Sequence, residues 1–153
     1  MGVSISRSLG EMVKTFMQIA PQEVGNGDIK KGSGINRAGS ESAFFECFVG
    51  AITGSPTAGS GVKFEVQEAD SDTDSAYATI DVGLPTEKSW TAVATDGGTH
   101  KGKITVNNAQ DQKVWLRLKC TATLLTGSTP KAMIGGSAVI AGWKETPVTD
   151  ANS

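Results

Sequence analysis

Leucine, cysteine and histidine are scarce in this chain of 153 residues, which holds six Leu, two Cys and one His. The shortage of Leu beside 12 Val, nine Ile and 16 Thr argues against a helical bundle and for pleated, half-buried surfaces, where β-branched side chains pack well. Cys47 and Cys120 are too few for a disulfide-stapled scaffold and form no Cys-x-x-Cys pair. Both lie in apolar strand-like runs, as buried small hydrophobes do, with a single bridge between strands as the alternative. His100 is the sole imidazole, so a His-rich zinc site is excluded and nucleophilic catalysis lacks its usual choice of base. No Gly-x-Gly-x-x-Gly joins a strand to a helix and no Gly-x-x-x-x-Gly-Lys-Ser/Thr loop is present, which leaves nucleotide binding without support. No apolar run approaches the roughly 20 residues that cross a bilayer, and the start of the chain lacks a charged, then apolar, signal pattern. The expectation is a soluble protein made in a reducing cytoplasm, with no enzyme activity, no cofactor and no metal.

The net charge of −2 gives no electrostatic reason to expect nucleic acid or a membrane surface as partner. Its distribution is uneven. Residues 65–96 carry eight acids against Lys88 alone, a net of −7, whereas residues 99–119 carry Lys101, Lys103, Lys113, Arg117 and Lys119 against Asp111. Opposite charge on neighbouring strands favours pairing within a sheet or contact between copies, although a simply solvated face is the plainer explanation.

Nineteen Gly and five Pro punctuate the chain, and from residue 43 onward strand-like runs recur between turn signals at the spacing of all-β domains. The runs are 43–52, 62–68, 77–82, 89–94, 101–106, 113–125 and 132–142. In 62–68, Val62, Phe64 and Val66 alternate with Lys63, Glu65 and Gln67, the pattern of a strand with one wet face. In 113–125, Val114, Leu116, Leu118, Cys120, Ala122 and Leu124 share one face, and Trp115, Arg117, Lys119, Thr121 and Thr123 the other. These runs predict an antiparallel β-sandwich, jelly-roll or Ig-like, over residues 43–142. Ahead of it, Ser8-Leu9-Gly10-Glu11 has the form of a capping box, with Leu9, Met12, Val13, Phe16 and Met17 at helical spacing. With the glycines at 25, 27, 32, 34 and 39 beyond it, residues 1–42 read as an extended arm carrying a short helix, or as an arm wrapped back on the domain. Residues 143–153 read as a polar tail.

Asp70-Ser71-Asp72-Thr73-Asp74, with Asp81 at the twelfth position, suggests a calcium loop. Ser75 stands where the EF-hand turn requires Gly, so a hydrated acidic turn is the better account. Met1-Gly2 with Ser6 fits a bare myristoylation pattern but lacks a second, polybasic signal. Trp115 and Trp143 stand apart from the core pattern as contact candidates, or as residues partly covered by a loop or the arm.

The stretch Val62-Lys63-Phe64-Glu65-Val66-Gln67-Glu68-Ala69-Asp70, then Ser89-Trp90-Thr91-Ala92-Val93, Val114-Trp115-Leu116-Arg117-Leu118-Lys119 and Gly127-Ser128-Thr129-Pro130, in that order, resembles the head decoration (cement) proteins of tailed bacteriophages. The resemblance covers residues 43–142 and leaves out the arm and tail. It implies a virion protein on the capsid exterior, a homo-oligomer whose partners are the major capsid protein and neighbouring copies. Flexible extensions add contact area across shell subunits, and many weak contacts become strong through avidity. On this reading Leu9, Met12, Val13, Phe16, Met17 and Trp143 are the capsid-contact candidates. A phage tail or fibre module, and a carbohydrate-binding sandwich using Trp115 or Trp143 with calcium at Asp70–Asp74, stay open beside it.

Overall fold

The computed structural model describes residues 13–38, 40, 42–54, 57–80, 89–93, 98–107, 113–125 and 129–141. These residues form ten strands: β1 (Val13–Gly25), β2 (Ile29–Lys31), β3 (Ile35–Asn36), β4 (Ser42–Thr53), β5 (Gly61–Ala69), β6 (Ala78–Thr79), β7 (Ser89–Val93), β8 (His100–Asn107), β9 (Trp115–Thr123) and β10 (Lys131–Ala141). One helical turn, Asp74–Ala76, interrupts the β5–β6 connection.

All pairings are antiparallel and make two sheets. Sheet A runs β1-β10-β4-β8. In sheet B, β2 and β3 share one edge of β9, β9 pairs β5 along its full length, and β6 and β7 share the far edge of β5. The chain therefore crosses repeatedly between sheets, and the order 1-10-4-8 facing 2-9-5-7 is that of a jelly roll.

Period-two alternation builds the core. Ala43, Phe45, Cys47 and Val49 of β4 point inward, as do Val62, Phe64 and Val66 of β5, Leu116, Leu118, Cys120 and Ala122 of β9, and Ile134, Ala138 and Ile140 of β10. Fully burying each large side chain contributes about 1.5–3 kcal/mol against exposure. At Gly136 the facing sheet leaves no room for a side chain, since an added Cβ would meet the Leu118 side chain at 2.5 Å.

The amino-terminal region differs from its expected form. In place of a helix through Val13, Phe16 and Met17, β1 begins at Val13 and pairs with the last strand, from Val13↔Ala141 to Gly25↔Lys131. A short isolated helix is marginal in water, and long-range pairing with β10 outweighs the local capping signal. The supposed helical face is thereby divided: Phe16 packs against the core while Met17 is 71% exposed. Ile19, Val24 and Ile35 also belong to the core, so the described part of the arm is integral to the sandwich, which reaches back to Val13 rather than starting at 43.

The glycines read as marks of flexibility occupy positions of close approach. A Cβ on Gly34 would collide with the Asp72 carboxylate and the Tyr77 hydroxyl. At Gly27, φ of +83° turns the chain from sheet A to sheet B. Gln18, buried at a register shift in β1, seals the break between β2 and β3. Its Oε1 accepts from the Leu118 amide at 2.8 Å and its Nε2 donates to the Ser33 carbonyl at 3.0 Å.

Candidate functional site

Charged groups gather at one end of sheet B. Arg117, on the face of β9 opposite the apolar set, is 6% exposed, because the Asp74–Ala76 turn and Tyr77 cover it. Its Nε donates to Gln67 Oε1 at 2.9 Å, a terminal nitrogen donates to Asp74 Oδ1, and the guanidinium lies 3.9 Å from the Tyr77 ring centroid. Lys31 also binds Asp74, at 2.8 Å. Hydrogen bonds from Lys31 and Arg117 hold the Asp74 carboxyl below the ordinary carboxylate range. Burial, and then the bond that its hydroxyl donates to Asp72 at 2.7 Å, push the Tyr77 phenol upward. Nearby, Arg37 and Glu68 are both buried; desolvation lowers the Arg37 pKa and the Glu68 charge opposes that shift.

The three acids of the suspected calcium loop thus face three different directions: Asp70 to Lys113 at 3.0 Å, Asp72 to Tyr77, and Asp74 to Lys31 and Arg117. No trio of His, Cys, Asp or Glu among the described residues is placed to hold a metal, and Asp81 lies outside them. The opposite charges of the two segments also meet within sheet B, where Glu65 pairs with Lys119 at 3.7 Å, and it pairs besides with Lys63 of its own strand at 2.9 Å. The arrangement ties the β5–β6 loop to β9; it is structural in character.

The outer face of sheet A is different in kind. Strand register sets its rows: Thr15, Val139 and Phe44; then Met17, Ser137, Glu46 and Lys103; then Gly135, Phe48 and Lys101. Because Gly135 has no side chain, the third row sinks into a depression of about 510 Å³ walled by Met17, Pro21 and Phe48. Phe48 at 38% and Met133 at 45% exposure continue the apolar surface. Pro21 and two register shifts interrupt β1 at the edge, a device that discourages another chain from pairing there.

Of the capsid-contact candidates, Met17 reaches this face, Phe16 turns to the core, and Val13 is half-buried at the start of β1. Leu9, Met12 and Trp143 lie outside the described residues. Trp115 is half-buried at the start of β9, and His100 opens β8. Cys47 and Cys120 are free, buried thiols facing the core from opposite sheets, and burial pushes both up to about 12. Sequence reasoning missed Gln18, Gly135 and the exposed pair Phe48 and Met133, since none departs from what an ordinary strand contains.

No family model and no curated protein matches the chain. Among solved structures, the fold is similar to a chain of infectious bursal disease virus, Gx strain, with TM-score 0.57 and 13% identity over 88% of this chain. A chain of the Gt strain of that virus gives TM-score 0.53 and 11% identity over 96%. This chain spans about a third of each, 33% and 37% of their lengths. The likeness is one of fold, an all-β jelly-roll sandwich.

Proposed function

We propose that the chain is a non-enzymatic structural protein of a virion, seated on the outer surface of the shell as a decoration or cement protein. Its partners would be the major capsid protein and neighbouring copies of itself. The observation that supports this reading is the jelly-roll sandwich, whose fold is similar over 88% of the chain to a protein in a virus structure. The ordered resemblance to phage head decoration proteins supports the exterior position. A non-enzymatic role is supported by the commitment of chemically able groups to other tasks. The thiols are buried and unactivated, and Asp70, Asp72 and Asp74 are engaged by the protein's own Lys113, Tyr77, Lys31 and Arg117. Contact with the shell falls to the exposed Met17 and to the segment carrying Leu9 and Met12, where each weak contact gains from repetition over a lattice.

The test is quantitative mass spectrometry of purified particles from the source, with this chain counted against the major shell protein. A ratio near one, or a simple fraction of it, is expected. A few copies per particle would move the protein to the tail or a fibre, and absence from the particle would overturn the virion reading.

A further inference from the structure

The outer face of sheet A is apolar at its centre and charged toward its margins. Met133, Gly135, Ser137 and Val139 of β10, with Phe44 and Phe48 of β4, fill the middle. Lys101 and Lys103 lie on the edge strand β8, and the Glu23–Lys131 ion pair closes one end. Glu46 alone breaks the pattern, and Lys103, its cross-strand neighbour, offsets it. An uncharged centre inside a charged rim is the anatomy of a protein contact surface, and exposed apolar patches mark such surfaces. The face also holds a projection and a recess side by side: Phe48, 38% exposed, stands next to the hollow above Gly135, its cross-strand neighbour.

That adjacency makes the face complementary to itself. β10 and β4 are the two middle strands of sheet A. A two-fold axis in the plane of contact, running between them along the strands, lays β10 of one copy over β4 of the other and so sets cross-strand neighbours opposite each other. Phe48 then faces Gly135, Glu46 faces Ser137 and Phe44 faces Val139, each twice per dimer. Sheets packed face to face keep their strands within about 30° of one another, which this axis allows. The edge strands follow: Met17 lies under the aliphatic stem of Lys103, and Lys101, which forms no ion pair with a described residue, lies over the Ala20–Pro21 stretch, close along β1 to Glu23. No like charges meet in these rows. The area suffices as well. Four strands at about 4.8 Å spacing and about ten residues at 3.3 Å each cover roughly 600 Å² per copy, about 1,200 Å² in all, which reaches the range of specific interfaces.

We propose that two copies of this chain pack sheet A against sheet A about a two-fold axis between β10 and β4, with Phe48 of each copy seated in the hollow above Gly135 of the other. The inference stands independently of the virion reading and concerns the chain in solution; in such a dimer Met17 is covered and no longer free to meet a shell. The hollow can be filled without disturbing its own chain, since a Cβ at Gly135 meets only ordinary contacts, 3.8 Å from the Ile19 carbonyl and 3.9 Å from Pro21. Gly135→Leu therefore closes the recess from below, and Phe48→Ala removes the projection.

The experiment is sedimentation equilibrium of the full chain from about 1 µM to about 100 µM, where mass action reveals a micromolar dimer. Phe48→Ala and Gly135→Leu are each expected to weaken the dimer about a hundredfold, tenfold at each of the two equivalent contacts. The register makes a sharper demand on the mixture. A copy with Phe48→Ala and a copy with Gly135→Leu restore complementarity at both contacts, Leu against Ala and Phe against Gly, so the two weakened variants should combine into a heterodimer, resolved by mass in native mass spectrometry. A wild type that stays monomeric at about 100 µM would overturn the proposal. So would a dimer undiminished in Phe48→Ala, whose outward-facing position does not threaten folding and which decides the matter even without Gly135→Leu. None of these results depends on how many copies the particles contain.

Discussion

Arg117 is the residue on which the loop end of sheet B depends. Its guanidinium holds Gln67 on β5, Asp74 on the helical turn and the ring of Tyr77 at once. Arg117→Ala is expected to cost about 2 kcal/mol, because it strands a buried amide and uncovers the ring. Urea unfolding should show a lower midpoint at unchanged slope, with Arg117→Lys intermediate, since an ammonium keeps the charge but loses the planar fork. The lowered Asp74 pKa has a sign that can be tested. The folded carboxyl stays ionised where the unfolded one takes up a proton, so its contribution is present above about pH 4 and is lost as pH falls through the folded value. Asp74→Asn should therefore destabilise the protein at pH 6, and the gap between urea midpoints of variant and wild type should narrow as pH falls below about 4. The cysteines make a third residue-scale case. With thiols buried and pushed up to about 12, neither Cys47 nor Cys120 should react with a thiol reagent at pH 8 in the native protein, and both should react in denaturant.

At the scale of elements, two glycines decide how closely segments approach. Gly136 on β10 leaves room for Leu118 of the facing sheet, and Gly34, between β2 and β3, lies under the Asp72 and Tyr77 pair. Gly136→Ala and Gly34→Ala are each expected to cost about 1–3 kcal/mol through overpacking, and to lower the melting temperature by several degrees. Gly135→Ala is the matched control on the same strand: its added methyl points into the trough and should leave the midpoint nearly unchanged. Differential scanning calorimetry on the three variants separates close approach from flexibility, because loss of backbone freedom alone would stabilise all three alike.

For the whole molecule, the decisive pairing joins the two ends of the described chain, β1 with β10. Removing residues 1–36 takes Ile19, Val24 and Ile35 from the core, opens the edges of β10 and β9, and deletes the Gln18 seal. The truncated chain is expected to lose near-ultraviolet circular dichroism, bind a hydrophobic dye and aggregate through its exposed strand edges. A separable arm would have left a stable sandwich over residues 43–142. Charge is compensated within sheet B, while Met17, Phe48 and Met133 leave apolar surface on the outside of sheet A.

By itself the sequence determined the all-β class and the seven strands after residue 42 to within a few residues, because alternation of apolar and polar side chains is a local property written in the order of residues. The inward set Leu116, Leu118, Cys120 and Ala122 follows from that alternation alone. Tertiary structure alone decided the fate of residues 13–36, the burial of Arg117 and the trough at Gly135. Each depends on a partner about 40 to 130 residues away: Ala141 for Val13, Asp74 and Gln67 for Arg117, and Phe48 for Gly135. Local signals such as a capping box or a run of glycines carry no information about such partners, and pairing energy spread over a long strand outweighs them.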